Sequence, residues 1–295
     1  MCLLYHKMCA ILSSVDTLLT AYNRSISEVF SNTSFREILV ANRPGWSASN
    51  PSIARGPDGY RFTIRSSNYV LDASETSYYT KEGVIETINY VGQMDENLQV
   101  TGLDRIYTAL VEGPVLYPWV LGVEDCRIWW DAENDIWKTS GSYRQHRSDG
   151  VTTIAVDSLD GALVVKREVL AGDNPNQFEK NWMPTGRGNN FLRGPWGNER
   201  QLRGSSEAVP IGDDYYGVLH YVTYDTGRRY WHCFAKFNSS GGLLGISEPF
   251  YFINPGVEFA NGMTVWQDNF VVTFSNRDER ALMVRVPISD VMDSI

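Results

Sequence analysis

The chain has 295 residues with nine Trp, sixteen Tyr and twelve Phe but only 21% charged residues, which excludes a disordered or coiled-coil protein and leaves one large all-β domain or two ordinary ones. A formal net charge of −9 argues against sequence-independent binding to nucleic acid or to an anionic membrane surface, since both need a basic field, although a local basic pocket stays open. Cys2, Cys9, Cys126 and Cys233 are scattered, with no Cys-x-x-Cys pair and no histidines at zinc spacing, so free thiols in a reducing, cytoplasmic setting are expected and a bound metal is not.

The opening MCLLYHKMCAILSS is interrupted by His6 and Lys7, is too short to span a membrane and does not read as a secretory signal. Next, Val15, Leu18, Leu19, Tyr22, Ile26, Val29 and Phe30 recur at helical spacing behind the candidate caps Ser14 and Asp16, which predicts an amphipathic helix in an N-terminal extension, residues 1–45. After Pro44-Gly45 the pattern changes to short apolar and aromatic runs broken by Gly, Asn and Asp about every ten residues. Residues 46–295 therefore read as one all-β domain.

Within it a four-part pattern of short motif, strand, polar turn and aromatic strand returns, from Asn50 to Tyr69, Glu124 to Tyr143, Gly204 to Val222 and Val257 to Asp278. Three copies precede an outer pair of common design: TINYVGQMDENLQVTGL, TTIAVDSLDGALVVKREVL and HCFAKFNSSGGLLGISEPF. Inner plus outer hairpin makes a four-stranded antiparallel unit, and such units recurring at roughly 40 to 50 residues predict a β-propeller. A β-sandwich is the competing all-β reading. The segment EKNWMPTGRGNNFLRGPWGNERQLR supplies a further unit, too short and too rich in Gly, Asn and Arg for four strands. The expectation is a five-bladed propeller with a short or degenerate third blade.

Circular symmetry brings the polar ends of the innermost strands to one channel mouth. On that basis Arg65, Asn68, Glu124, Asp125, Arg127, Lys180, Asn181, His220, Glu258 and Asp278 converge, flanked by Tyr69 and Trp182. Carboxylates and guanidinium groups bind sugar hydroxyls in pairs and aromatic faces cover the apolar side of a ring, so the mixture suits a saccharide. Each residue also has a plain structural role open to it. Asp125-x-Arg127, read as one face of a strand, equally makes an ion pair that braces a blade; His220 can be a core histidine; His232 reads as structural.

Taken in order, NPSIA with IRSSNY, GVEDCRI, EKNWMP, LRGSSEAV with VLHYV, and GVEFANG with FSNRDERALM resemble the five-bladed propellers of glycoside hydrolase family 130, the β-mannoside phosphorylases and hydrolases, over about Asn50 to the C-terminus. The resemblance implies inverting attack by phosphate or water on a β-mannosidic bond of an oligosaccharide. Asp125 then matches the family's general acid, which reaches the glycosidic oxygen through a sugar hydroxyl. Arg127, Lys180 and Arg203 match positions near the substrate or the attacking anion, and His220 and Asp278 match sugar contacts. Cys126 stands where the family motif has proline, and the short third segment puts its phosphate-holding groups in question. No cofactor is implied beyond inorganic phosphate as an optional co-substrate.

An arginine beside Asp125 lowers its pKa, whereas a general acid must hold a proton near neutral pH, so a second acid, Glu258 or Asp278, is expected to oppose it. Two other functions remain on the sequence: a glycosyltransferase whose activated donor is held by Arg187, Arg193, Arg200 and Arg203, and a non-catalytic sugar-binding propeller.

Overall fold

Strands form where β-branched and aromatic residues gather, the central ones buried on both faces, and they make up almost every regular element among residues 23–80, 82–172, 180–196, 202–224 and 227–295, which the computed structural model describes. Four antiparallel sheets result. The first runs Ser47–Gly56, Gly59–Ser67, Ile85–Met94, Val100–Arg105, with Val120–Leu121 added in parallel to Ile85–Met94. The second runs Val123–Asp131, Ile136–Tyr143, Thr153–Asp160, Leu163–Leu170. The third begins with two short pieces, Arg203–Gly204 and Val209–Ile211, both paired to Asp214–Thr223, and continues through Arg229–Phe237 to Leu243–Ile246. The fourth runs Glu258–Trp266, Asn269–Asn276, Arg280–Pro287 and closes with Ser34–Glu37.

The inner and outer hairpins of the sequence reading are these sheets, arranged as in a propeller. The inner strands Ser47–Gly56, Val123–Asp131 and Glu258–Trp266 contact one another. Full sheets number four among the described residues. The short third segment contributes a two-stranded hairpin, Met183–Pro184 with Phe191–Leu192. It is no wider because Gly186 and Gly188 turn it at once, both at positive φ, and Pro184 lacks a backbone donor. The hairpin still fills a place in the ring: Trp182 packs with Trp129, Ile154 and Val156 of the second sheet, while Met183 and Leu192 join Leu219, Cys233 and Phe237 of the third.

The predicted N-terminal helix lies mostly outside the described residues. Within them only Ile26–Val29 is helical, begun by Ser25, whose N–H and hydroxyl both donate to Glu28. Ser34–Glu37, in the same N-terminal segment, is a strand. No helix among the described residues is long and apolar enough to cross a membrane.

Between the third and fourth sheets lies the largest core cluster, where Phe234, Phe250, Phe252, Phe270 and Phe274 are buried and Phe252 stacks on Phe274 at 4.1 Å. Along the axis the inner strands are tied by buried polar groups instead. Asn261 donates to the carbonyls of Asn50 and Cys126 (both 3.0 Å), Glu207 accepts from Ser52 and from the Met263 N–H (2.7 Å), and Ser52 accepts from the Ile128 N–H (3.0 Å). These bonds satisfy backbone groups that the converging strands cannot pair among themselves.

Candidate active site

The inner strands are interrupted at corresponding places. An extra residue enters Ser47–Gly56 between Ser49 and Ser52, Val123–Asp131 opposite Ser140 to Ser142, and Glu258–Trp266 between Ala260 and Gly262. Asn50 (φ +47°) and Asp125 (φ +57°) occupy such bulges in left-handed backbone, and Asn181 (φ +62°) takes the same backbone conformation just before the short hairpin. Asn and Asp adopt this conformation at lower cost than other side chains, which explains their recurrence in the motif.

The bulge corrects the simple strand reading of EDCR. In regular alternation Asp125 would share a face with Arg127 and oppose Glu124. Instead the extra residue turns Glu124 and Asp125 together into the channel mouth, while Cys126 and Arg127 are buried behind. Gly141 permits the kink, because a Cβ there would collide with the Glu124 carbonyl.

The mouth is a cavity of about 510 Å3 lined from every unit of the ring. Asn50, Arg65, Tyr69 and Tyr78 come from the first unit, Glu124, Asp125 and Arg144 from the second, and Lys180 and Asn181 from the short hairpin. Arg203, His220, Tyr224, Arg228 and Tyr230 come from the third sheet, with Phe259 and Asp278 from the fourth. Of the eleven residues predicted for the site, Asp125, Arg65, Glu124, Lys180, Asn181, Arg203, His220 and Asp278 line this cavity.

Asn68, Arg127 and Glu258 do not. Asn68 bridges the Val84 carbonyl and the Glu86 N–H. Arg127 donates to the carbonyls of Ser205 (2.5 Å) and Asp125 (3.3 Å), supporting the bulge from below. Glu258, fully buried, accepts from the N–H groups of Phe252, Ile253 and Asn254 and so holds a loop. Trp182 is likewise interior, beneath the Arg193 guanidinium at 3.7 Å. Of the arginine cluster proposed for donor phosphates, only Arg203 reaches the mouth; Arg187 and Arg193 do not line it, and Arg200 lies outside the described residues.

Arg65, not Arg127, is the cation that holds Asp125. Its guanidinium, 3% exposed, donates to Asp125 Oδ1 (2.8 Å), Glu124 Oε1 (3.0 Å) and Thr87 Oγ1 (3.3 Å). Asn50 adds a bond to the same Asp125 oxygen (2.6 Å). Burial pushes the Asp125 carboxyl up, but Arg65, Lys180, the Asn50 bond and Arg127 outweigh it and hold Asp125 below the usual carboxylate range. Asp278 goes the other way. Burial, with the repulsion of Asp125 added, raises its pKa against the pull of Arg65 and the 3.0 Å bond from the Tyr69 hydroxyl. Between the two acids, Asn50 Oδ1 accepts from the Ser275 hydroxyl, whose oxygen lies 3.5 Å from Asp278 Oδ1.

His220 is fixed by Ser205, whose hydroxyl lies 2.8 Å from Nδ1, and it stacks on Tyr230 at 5.6 Å. Burial, then the neighbouring His232, Arg203 and Arg127, push its pKa far below 6.5, so it stays neutral at ordinary pH. His232 is interior, accepting from the Ala260 N–H (3.3 Å) and packed on Phe252.

Sequence reasoning missed Asn50, Tyr78, Arg144, Tyr224, Arg228 and Tyr230. Asn50 carried a signal, as the first residue of the first repeat. Tyr78 and Arg228 carried none: they meet across 150 residues, with Arg228 donating to both Tyr78 (2.8 Å) and Tyr230.

No protein-family model and no curated protein sequence matches the chain. Solved structures do. A β-1,2-mannobiose phosphorylase from Listeria innocua, in complex with β-1,2-mannobiose, aligns with a TM-score of 0.61 at 12% identity over 90% of this chain and 99% of that one. A structure from the GH130 family of mannoside phosphorylases, described with glycoside hydrolases that target β-1,2 mannosidic linkages in Candida mannan, gives 0.58 at 11% identity over 83% and 85%. A GDP-mannose-dependent mannosyltransferase from Leishmania mexicana gives 0.54 at 8% identity over 86% and 89%. At these identities the likeness is one of fold: the chain shares the propeller-like all-β arrangement of mannoside phosphorylases and related glycosidases.

Proposed function

We propose that this chain is a carbohydrate-active enzyme that cleaves a β-mannosidic or closely similar bond of an oligosaccharide at the channel mouth, by inverting attack of inorganic phosphate. On this reading the propeller has five blades, with the hairpin at 183–192 standing for the third. The observation that carries the proposal is the charge of the mouth. Arg65, Arg144, Lys180, Arg203 and Arg228 face Glu124, Asp125 and Asp278, five cations against three acids in a protein of net charge −9. Such a local excess favours an anion beside the bound sugar, and guanidinium groups bind phosphate in forked pairs. Hydrolysis would draw no benefit from it.

The resemblance gives Asp125 the acid's part, and the opposed pKa shifts divide that part between two groups. Asp278, the more readily protonated of the two, supplies the proton. A sugar hydroxyl lying between the two carboxyls accepts it and passes its own proton to the glycosidic oxygen as that bond breaks, while phosphate bonds to the anomeric carbon from the opposite face. Ionised Asp125 orients that hydroxyl and stabilises the positive charge developing on the ring. Incubation with β-1,2-mannobiose tests this directly: mannose 1-phosphate should appear only when phosphate is present. Release of free mannose regardless of phosphate would replace phosphorolysis by hydrolysis, and no product from any mannoside would sink the enzyme reading.

The same cationic excess also suits a glycosyltransferase, in which Arg203 and Arg228 would meet the donor's phosphates, and the likeness to a GDP-mannose-dependent mannosyltransferase supports that second reading. Stabilisation by GDP-mannose in a thermal-shift assay, without phosphorolysis, would favour it.

A further inference from the structure

The strand Val123–Asp131 has a cavity on either side. The bulge that turns Asp125 into the channel mouth sends Cys126 towards a second cleft, again of about 510 Å3, between the first and second sheets. This volume lies in the range of small-molecule sites.

The walls of the cleft are polar and balanced in charge, with Arg43, Arg105 and Arg167 against Glu86, Glu112 and Asp157. Arg167 and Asp157 satisfy each other through two bonds of 2.7 Å. Among the described residues, however, the Asn89 side-chain oxygen is buried without a partner, and the half-buried Glu86 and exposed Arg105 side chains line the cleft with no hydrogen-bond or ion-pair partner in the protein. Equal numbers of cations and acids give no net preference for an anion or a cation. Donors and acceptors that no protein group occupies, standing together, favour a ligand that both donates and accepts, and hydroxyl groups do this without carrying charge.

The cleft also shares a wall with the mouth. Thr87, in its lining, accepts from the Nε of Arg65, the residue that holds Asp125, and Cys126 adjoins Asp125 in the chain. We propose that this cleft is a second ligand site, for a neutral hydroxyl-rich small molecule such as a monosaccharide, mechanically linked to the mouth through Thr87–Arg65 and the 125–126 bulge. It stands independently of the reaction proposed above.

Calorimetric titration of mannose into three full-length proteins tests it: wild type, the mouth variant His220→Ala/Asp278→Ala, and the cleft variant Glu86→Ala/Arg105→Ala. The mouth variant should keep a binding event that the cleft variant loses or shows weakened about tenfold. A crystal soaked with mannose should carry density beside Glu86 and Asn89, which keeps the proposal testable if either variant folds poorly. Absence of mannose binding in the mouth variant, an unchanged isotherm in the cleft variant, or binding of glycine in place of mannose would overturn it. If only the channel-mouth reaction is wrong, the cleft isotherm survives.

Discussion

A single backbone angle decides which side chains reach the mouth. At φ +57° Asp125 tolerates a conformation that would strain a β-branched residue, and asparagine is the best isosteric replacement there. Asp125→Asn should therefore fold normally, keep sugar affinity within a few fold and lose turnover by about 10²–10⁴, read as kcat at saturating substrate. The two acids also set a pH profile. The proposed mechanism requires Asp125 ionised and Asp278 protonated; the first condition fails as pH falls through a lowered carboxyl pKa and the second as pH rises through a raised one. Asp278→Asn should remove the alkaline limb of kcat/KM along with most of the activity, and a limb that persists would assign it to another group. The EDCR motif was legible as a polar site in the sequence, but its facing was not. Alternation assumes an unbroken strand, and the one clue to the break, an Asn or Asp at the same place in Asn50, Asp125 and Asn181, emerges only when repeats are compared.

Among the elements, the excursion at 69–80 shapes the mouth most. It leaves the first sheet as the small pair Tyr69–Leu71 and Tyr78–Thr80 and reaches across to the last unit, where Glu75 accepts from the Val257 N–H (2.7 Å) and pairs with Arg277. That clasp holds Tyr69 against Asp278 and Tyr78 against Arg228. Glu75→Gln weakens the clasp without touching the core, so the melting temperature should move little while KM rises several fold; unchanged kinetics would show that the strap does not position the site. Sequence reading saw the hairpins on either side because their patterns are local. It passed over this strap because the groups that anchor it to the rest of the mouth lie about 150 to 200 residues away, and pairing at that distance leaves no periodicity to detect. The short third segment was legible for the same local reason, since Gly, Asn and Pro interrupt strands wherever they stand.

At the scale of the molecule, the ring is closed by Ser34–Glu37 pairing with Arg280–Pro287, and its axis is pinned by Glu207. Burial raises the Glu207 pKa from 4.5 to about 7. The native state thus binds this proton more tightly than the unfolded chain, so the stability it gives is fully present below pH 4.5 and is lost as pH rises through about 7, a change of about 3 kcal/mol at most. Thermal melts should fall across that window for the wild type and stay flatter for Glu207→Gln; parallel curves would place the titration elsewhere. Circular repetition was readable from the inner hairpins, whereas closure by an N-terminal strand was not, because four residues of SFRE carry too little pattern to announce a partner 250 positions away. What unites the scales is the claim that five units deliver one mouth, with more cations than acids, built for a sugar and an anion. The most direct measurement is a crystal structure of Asp125→Asn with β-1,2-mannobiose and phosphate. The account predicts a sugar ring between residue 125, His220 and Asp278 with phosphate against Lys180, Arg144 and Arg203; a mouth that stays empty, or a saccharide bound only elsewhere, would contradict it.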